Sequence, residues 1–297
     1  MSSLNLSTAR MRPLRRDNRN EPSWGRVGLL APALVILTAM FLLPLGVMLW
    51  RTFTDPEPGL GNLTWYLGND VQRTVLLRTF TTAFKVTAVC VLIGYPYAYA
   101  MTAAGPRLRA LLTLLVLVPF WTSLMVRTFA WIILLQDGGP VSSLLSTFGL
   151  GHVELIRTNL GVVIGMSQIL LPFMVMPLFA VMSKIDRRLV QASSSLGAKS
   201  VTSFLRVWLP LSMPGVAAGA MMVFISSLGF YVTPALLGAP SDSLVSQQIY
   251  TQVASLLEWG HGGAMGVVLF VATMLLLGTV LAGTTARSRR RMRGAIL

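Results

Sequence analysis

The amino-acid sequence predicts an all-α membrane protein with six transmembrane helices and one loop of short amphipathic helices on the cytoplasmic side. Hydrophobic residues make up 54% of the 297 residues and charged residues only 11%, whereas roughly a quarter of the residues in soluble domains are charged. Six apolar runs, each of about 20 residues, are long enough to cross a bilayer core. Most basic residues flank these runs instead of interrupting them.

The N-terminal part of the chain, residues 1–26, is a polar tail rich in arginine. No short apolar core with a small-residue cleavage site follows, which argues against a cleaved signal peptide. The first apolar run, at about 27–50, is long enough to be a full span. We therefore expect an uncleaved anchor whose N-terminus lies in the cytoplasm. The polar loop at about 51–78 contains Trp65-Tyr66 and is expected to carry a short amphipathic helix.

The second run, at about 79–104, contains Pro96, which is expected to kink the helix. Such a kink is tolerated in a membrane when neighbouring helices satisfy the freed carbonyl. Gly105-Pro106 then predicts a tight turn. Arg107 and Arg109 follow this turn and indicate that it lies on the cytoplasmic side.

The third run, at about 110–135, carries an arginine within its apolar sequence. Arg127 is eight residues from Leu135, which places it roughly 12 Å below the outer end at helical rise. An ionisable residue at that depth is a functional-site hypothesis by default. The alternative is a structural arginine that snorkels outward or pairs with an acid such as Asp137.

Three further runs complete the prediction, at about 160–182, 215–237 and 263–285. The first of them contains Pro172 and Pro177. The six spans together form one domain, residues 27–285, and an arginine-rich tail follows at 286–297.

The distribution of charge fixes the expected orientation. With both termini, the 105–109 turn and the 183–212 loop placed inside, the inner segments hold 18 of the 24 Lys and Arg residues. The outer loops hold four. This asymmetry is the positive-inside pattern, and the inverted topology would reverse it.

Several classes of function are disfavoured by the residues that the sequence lacks. The net charge of +14 does not indicate nucleic-acid binding, because the arginines flank apolar spans. Cys90 is the single cysteine, and His152 and His261 have no metal-ligand spacing. Ala192–Ser200 has Ala192 where a phosphate loop needs its first Gly. No Asp or Glu lies within a predicted span, although proton-coupled carriers usually need such a relay.

The most strongly patterned segment is the 183–212 loop. Asp186 is a plausible N-cap, because its carboxylate can accept from the free N–H groups of a first turn. Apolar residues recur at helical spacing up to Leu196, and Gly197 stands where a left-handed C-cap is expected. A second short helix is expected to follow, with Pro210 and Pro214 ending it. The loop thus predicts two amphipathic helices joined at Gly197 and lying on the membrane surface.

The same loop resembles a motif in the permease subunits of bacterial ABC importers. Their pattern is E-A-A, three residues, G, nine residues, I, one residue, L-P. The matching residues here are Gln191, Ala192, Ser193, Gly197, Val207, Leu209 and Pro210. The spacing matches throughout, but Gln replaces Glu and Ser replaces the second Ala. The missing carboxylate puts a salt bridge to the partner ATPase in doubt, while the helix–turn–helix shape is unaffected.

Three other segments resemble the spermidine/putrescine (polyamine) branch of this family. The first is Gly-Tyr-Pro-x-Ala-Tyr at 94–99, and the second is Pro-Phe-Trp with Arg-Thr-Phe-Ala-Trp between 119 and 131. The third is the segment at 226–240, which contains Val-Thr-Pro. The resemblance covers nearly the whole chain beyond residue 26.

The resemblance implies a type I importer permease in the bacterial inner membrane. The implied complex contains a second, related permease as a heterodimer, two ATP-binding subunits and an external substrate-binding protein. ATP and Mg would be bound by the ATPase partner, so no cofactor and no metal is expected in this chain. The implied function is transport of a small charged organic solute, polyamine-like, along a path that this chain helps to form. A stand-alone secondary carrier or channel is the alternative, and it leaves the Gly197–Pro210 spacing unexplained.

Two sets of candidate site residues follow from the sequence and this resemblance. The ATPase-coupling loop is assigned Asp186, Gln191, Ala192, Ser193, Leu196, Gly197, Ala198, Leu209 and Pro210. The candidate translocation path is assigned Tyr95, Tyr99, Trp121, Arg127, Phe230 and Tyr231. For each aromatic member of the second set, anchoring a span at an interface or packing between helices is favoured over contact with the substrate.

Overall fold

The computed structural model describes residues 24–149 and 154–294. Most of the basic N-terminal tail and His152 therefore lie outside the described residues. The described chain is built of helices and turns, with no β-strand among them. It forms two compact units that divide after Val47. In the described residues, the first unit is most of helix α1, Trp24–Thr54.

The second unit contains the remaining helices. These are α2 Gly61–Gly68, α3 Asp70–Ala103, α4 Pro106–Leu117, α5 Leu124–Leu135, α6 Pro140–Thr147, α7 Asn159–Met182, α8 Arg187–Ser195, α9 Ser200–Ser203, α10 Leu209–Leu228, α11 Val232–Leu237, α12 Val245–Tyr250 and α13 Trp259–Gly294. A 3₁₀ turn at Val118–Trp121 follows α4, and another lies at Pro240–Asp242. Two π turns, Phe204–Trp208 and Thr251–Ser255, lie before α10 and after α12.

Within the described residues, five helical segments are long and apolar enough to cross a membrane. They are Ala31–Thr54, Asp70–Ala103, Asn159–Met182, Ser200–Leu228 and Trp259–Thr279. A sixth crossing results if Pro106–Trp121 and Leu124–Thr147 are taken as one broken span. The prediction of an all-α polytopic protein is thus confirmed, with the third span in a form that was not expected.

The third predicted span is not a continuous helix, and this corrects the sequence-based expectation. Its two halves are bent by 101° relative to each other. Pro119 has no N–H to continue the helical hydrogen bonds, and Thr122 adopts an extended conformation after the 3₁₀ turn. Ser123 is also non-helical, with φ −57° and ψ 136°, and α5 starts again at Leu124.

Other helix boundaries also differ from the predicted spans. Helix α3 begins at Asp70, because the Asn69 side chain caps it by accepting from the N–H of Val71. It runs through Pro96 without interruption. Helix α13 begins at Trp259 and continues to Gly294, past the expected end near 285. Hydropathy locates only the apolar part of a helix, whereas capping and turn geometry determine where the helix ends.

The core of the second unit is formed where α3, α7 and α10 pack together. Cys90 on α3, Met174 on α7 and Val223 on α10 are buried in one apolar cluster. Glycines permit this close approach: a Cβ at Gly219 would lie 2.8 Å from Met174 Sδ, and one at Gly94 would lie 2.8 Å from Met174 Cγ. Small residues at such contacts let helix backbones pack tightly in membrane proteins.

The contacts along α7 define the two ends of this bundle. Asn159, at the start of α7, donates to Thr82 Oγ1 on α3, and Cys90 Sγ contacts the carbonyl of Ser167. Helices α3 and α7 therefore run in the same direction. The far ends of both helices, Ala103 and Met182, lie at the end of the bundle that carries α8. We call this the α8 end.

Candidate functional site

Helix α8 has the N-terminal cap that the sequence predicted. Asp186 is extended, and its Oδ1 accepts from the N–H of Arg188 at 2.9 Å. This satisfies one of the first-turn donors that a helix leaves unpaired. The carboxylate also lies at the positive end of the helix dipole.

The C-terminal end of α8 is closed by a Schellman motif. The N–H of Ala198 donates to the carbonyl of Ser193 at 3.1 Å, and the N–H of Gly197 donates to the carbonyl of Ser194 at 3.0 Å. Gly197 has a φ of +85°, a conformation that costs L-residues with a Cβ. A Cβ at Gly197 would meet no heavy atom within 4 Å. The requirement for glycine is therefore one of backbone conformation and not of space.

One side of α8 is attached to the helices of the bundle. Val190 packs against the buried cluster that contains Met182 and Trp208. The Ser193 hydroxyl donates to Ser203 Oγ on α9 at 2.7 Å, and Ser203 is buried. These contacts fix the position of α8 relative to α9.

The other sides of α8 and the turn that follows it are exposed. Gln191 and Ala192 are exposed, and Ser193 and Ala198 are half-buried. Leu196 is 90% exposed. The exposed large apolar side chains of this region are Leu189, Leu196, Val201 and Leu205. We call these four residues the α8 apolar patch.

The prediction of a second short helix that lies separately on the membrane surface is wrong. The segment Ser200–Leu228 is one candidate span, so the chain after Gly197 leads directly into the membrane helix. Pro210 lies in the first turn of α10, where a missing N–H is tolerated. The preceding π turn, in which Leu209 donates to the carbonyl of Phe204, is a wider turn of the kind often found at functional sites. Pro214 lies inside α10 and does not end it.

The candidate path residues Tyr95 and Tyr99 lie near the α8 end of the bundle. The Tyr95 hydroxyl is 2.9 Å from Ser212 Oγ. Its ring makes an edge contact with Phe204, with ring centroids 6.0 Å apart. Tyr99 contacts Phe204 at 6.0 Å and Trp208 at 5.3 Å, again edge to face. Both tyrosines thus pack on the π turn that joins α9 to α10.

The other aromatic candidates lie in different parts of the fold. Trp121, in the 3₁₀ turn of the broken span, is 76% exposed. Phe230 and Tyr231 lie at the break between α10 and α11, where the fifth predicted span is interrupted. The Tyr231 ring lies 4.8 Å from the ring of Tyr250. The structure therefore divides the candidate path residues over three regions, and their role in transport stays a prediction.

Arg127 lies on α5 with part of its guanidinium enclosed. Its Nε and Nη1 are buried and have no hydrogen-bond partner among the described residues. A pairing with Asp137, which was one form of the structural alternative, is not among the ion pairs of the described residues. The next residue, Thr128, has its Oγ1 3.2 Å from Thr233 Oγ1 on α11, so α5 is fixed beside the break after α10.

A cluster of polar and aromatic residues beside α2 was not anticipated from the sequence. We call Trp65, Tyr66, Glu258 and His261 the α2 cluster. His261 stacks on Trp65 with ring centroids 3.8 Å apart and bonds the carboxylate of Glu258. Tyr66 is buried, and burial raises its pKa to about 12. The i, i+3 spacing of Glu258 and His261 was the available signal. Among the described residues, no three His, Cys, Asp or Glu side chains are grouped to hold a metal ion.

Comparison with known proteins agrees with this architecture. The family described as "Binding-protein-dependent transport system inner membrane component" matches residues 90–294. The spermidine/putrescine transport system permease protein PotB of Haemophilus influenzae is 33% identical over 257 residues, covering 86% of this chain and 88% of that protein. PotB of Escherichia coli is 33% identical over 205 residues, covering 68% of this chain and 74% of its own length.

A more distant relative and two solved structures extend the comparison. The inner membrane ABC transporter permease protein YdcU of Escherichia coli is 29% identical, covering 88% of this chain and 90% of its own. A bacterial ABC transporter that imports the acidic polysaccharide alginate has a TM-score of 0.64 at 18% identity, covering 89% of this chain and 95% of that chain. The alginate transporter in complex with its alginate-bound periplasmic protein has a TM-score of 0.65 at 18% identity, covering 85% and 91%. At this identity the structures establish the fold alone, which is that of a type I importer permease.

The family match covers well over half of the chain, and the PotB proteins are related along most of its length. The described residues contain five helices, or six with the broken span, that are long and apolar enough to cross a membrane. The chain therefore belongs to the binding-protein-dependent transport system inner membrane components, the permease subunits of ABC importers, and within them to the spermidine/putrescine branch.

Proposed function

We propose that this chain is a transmembrane subunit of an ATP-driven importer and forms part of the path for a small, charged, polyamine-like solute. The solute is delivered by an external binding protein. The complex contains a second, homologous permease as a heterodimer and two ATP-binding subunits. The chain lies in the bacterial inner membrane with both termini in the cytoplasm, as the charge asymmetry of its loops indicates. ATP and Mg are bound by the ATPase subunits.

The observation that carries this proposal is the exposed, doubly capped helix α8. Asp186 and Gly197 stabilise its two ends, so the helix keeps its shape without being buried. The α8 apolar patch is free of contacts that would bury it. A short helix with exposed apolar side chains fits a groove on a partner protein. In an importer permease, the partner at this position is the ATPase.

The attachment of α8 supports a mechanical role in coupling. Val190 and Ser193 tie α8 to the bundle. Beyond Gly197 and Lys199, the chain enters the helical segment Ser200–Leu228 directly. A displacement of α8 by closure of the ATPase pair would therefore move a transmembrane helix. Rigid-body motion of this kind is one of the established ways in which domains switch between states, and here it would alternate access to the path.

The polyamine-like character of the solute is supported by the chain's relatives. The PotB proteins are named for spermidine and putrescine transport. The candidate path residues are largely aromatic, and aromatic faces attract organic cations. Ligand identification on the cognate binding protein tests this part of the proposal, and a ligand without amino groups would refute it.

Gly197→Val tests the coupling role of α8. The positive φ of Gly197 disfavours a β-branched residue, so the Schellman motif should open while the spans remain inserted. We expect reduced co-purification of the ATPase, or ATP hydrolysis that no longer responds to the loaded binding protein. Gly197→Asn should be much milder, because Asn tolerates the left-handed region. Ser195→Ala is a helix-compatible change on the exposed side of α8 and should have little effect.

Gly138→Val is the matched control for backbone strain. Gly138 has a φ of +73°, and a Cβ there would also meet nothing within 4 Å. It follows α5, whose last residue, Leu135, packs beside Leu155 and Val162 near the start of α7. It therefore lies far from the α8 end. If the loaded binding protein stimulates ATP hydrolysis in Gly197→Val as strongly as in Gly138→Val, α8 does not transmit motion between the ATPase and the spans.

The alternative function, a stand-alone carrier, has its own test. Uptake by the permease pair without any ATPase would establish it.

A further inference from the structure

A basic cavity of about 570 Å³ lies at the α8 end of the bundle. It is enclosed by the last turn of α3 with the following Gly105, by the end of α7, and by the residues that lead into α8. Its volume falls in the range of about 300–1,000 Å³ that is typical of small-molecule sites.

The charged residues of this cavity are mainly cationic. Arg109, Lys184 and Arg187 line it, together with one acid, Asp186. The Asp186 carboxylate already accepts a hydrogen bond from the backbone N–H of Arg188. The cavity is therefore expected to attract an anion.

Two of these cations are held in place by the backbone. Arg109 donates from Nε to the carbonyl of Met101 at 3.2 Å and from Nη2 to the carbonyl of Ala104 at 3.1 Å. Arg187 donates from Nη2 to the carbonyl of Thr102. The carbonyls at the end of a helix need such donors. A guanidinium has five N–H donors, so both arginines keep donors for a ligand.

The remaining lining gives the cavity an apolar side. Phe179, Met182 and Trp208 contribute to it. These side chains are largely covered, since Met182 is 1% and Trp208 5% exposed. The cavity thus combines cations with a small apolar surface.

We propose that this cavity binds the phosphate group of an anionic phospholipid from the inner leaflet. Basic pockets between transmembrane helices on the cytoplasmic side are suited to anionic headgroups. The position of the cavity at the ends of the transmembrane helices α3 and α7 favours a lipid headgroup over free phosphate. The assignment to the inner leaflet rests on the proposed topology. A phosphate held here would join the end of α3 to the start of α8 and stabilise the base of the coupling helix.

The test uses the intact transporter, with all its subunits, in micelles that contain equal amounts of phosphatidylglycerol and phosphatidylcholine. Lipid retention is measured by native mass spectrometry. We expect preferential retention of phosphatidylglycerol, and an apparent affinity about fivefold lower in Lys184→Gln, which is the effect of about one basic residue near an anionic surface. Lys199→Gln is the matched control, because Lys199 belongs to the same loop but does not line the cavity.

Three outcomes would overturn the proposal. They are equal retention of the two lipids by the native protein, equal retention of phosphatidylglycerol by Lys184→Gln and Lys199→Gln, and displacement of the lipid by millimolar inorganic phosphate. The last result would assign the cavity to free phosphate. If a cysteine at Ser200 were labelled from outside while phosphatidylglycerol retention persisted, the proposed topology would fail and the lipid site would remain.

Discussion

Removal of the Ser193 hydroxyl should loosen α8 by an amount that can be worked out from its contacts. This hydroxyl donates to Ser203 Oγ at 2.7 Å, and Ser203 is only 1% exposed. The same Ser193 oxygen lies 2.8 Å from the carbonyl of Val190 within α8. Ser193→Ala therefore removes both contacts and leaves the buried Ser203 hydroxyl without this partner. An ordinary hydrogen bond contributes about 0.5–1.5 kcal/mol, but leaving one partner buried and unpaired costs about 1–3 kcal/mol. We expect α8 to become less stable by about 1–3 kcal/mol, although Ala is the residue that the family motif has at this position.

The effect should be local, because α8 is a short helix at the edge of the bundle. A change of about 1.4 kcal/mol in local opening corresponds to about tenfold faster amide hydrogen exchange. Hydrogen exchange followed by mass spectrometry on the peptide that covers residues 187–203 measures this quantity. Peptides from α7 should exchange at the native rate.

The double variant Ser193→Ala/Ser203→Ala provides the decisive comparison. Replacing both partners leaves no buried hydroxyl unpaired, so the double variant should recover part of the protection that Ser193→Ala loses. Strict additivity of the two single changes would show that the hydroxyls do not interact. Native exchange in Ser193→Ala would refute the argument that this contact holds α8 in place.

The remaining predictions concern topology, the broken span and the α2 cluster. In a Cys90→Ala background, cysteines at the exposed positions Ser200 and Ser241 should be labelled from opposite sides of the membrane, and labelling of both from outside would contradict the proposed orientation. Arg127→Leu should impair uptake more than insertion, since removing a charge from the middle of a span eases insertion by about 2.5–3.5 kcal/mol; unchanged uptake at equal expression would reduce Arg127 to a snorkelling residue. Burial raises the pKa of Tyr66 to about 12, above the ordinary tyrosine value of about 10, so the folded state favours the neutral phenol. Stability should therefore be full below pH about 10 and fall as the pH rises toward 12. Tyr66→Phe should lose this dependence without a loss of stability at neutral pH, because the buried hydroxyl has no hydrogen-bond partner among the described residues; alkaline melting curves check both statements.

The caps of α8 could be predicted from the sequence because their causes are local. An aspartate before a first turn and a glycine after the last turn act through bonds to nearby backbone groups. Asp186 and Gly197 indeed occupy the positions that the pattern indicated. The apolar runs could be predicted for a similar reason, since the length of a span depends on the thickness of the bilayer.

The bend in the third span could not be predicted from hydropathy. A straight span and a broken one bury the same apolar residues, and only backbone geometry separates them. Pro119 was visible in the sequence, but Pro96 was visible too, and α3 passes through it without a break. A proline is tolerated within a membrane helix where surrounding helices satisfy the freed carbonyl. Such tertiary contacts cannot be read from one sequence.

The candidate path residues show the same limit. Aromatic residues serve as packing, anchors or ligand contacts according to what surrounds them. Tyr95 was selected as a path residue, and its hydroxyl and ring are engaged by Ser212 and Phe204. The partners of Tyr95 are more than a hundred residues away in the chain. The basic cavity was also invisible in the sequence, because Arg109 is separated from Lys184 and Arg187 by two transmembrane segments.

Because Ser200–Leu228 is one continuous helical segment, a movement at its α8 end is transmitted to its other end. A helix of 29 residues is about 44 Å long at 1.5 Å per residue, so a tilt of about 5° about one end shifts the other end by roughly 4 Å. A small rotation at the α8 end would thus displace the other end of the helix by several ångströms. The long helix ends at Gly229, and α11 begins at Val232. The break between α10 and α11 would allow α11 to keep its position while the long helix changes its tilt.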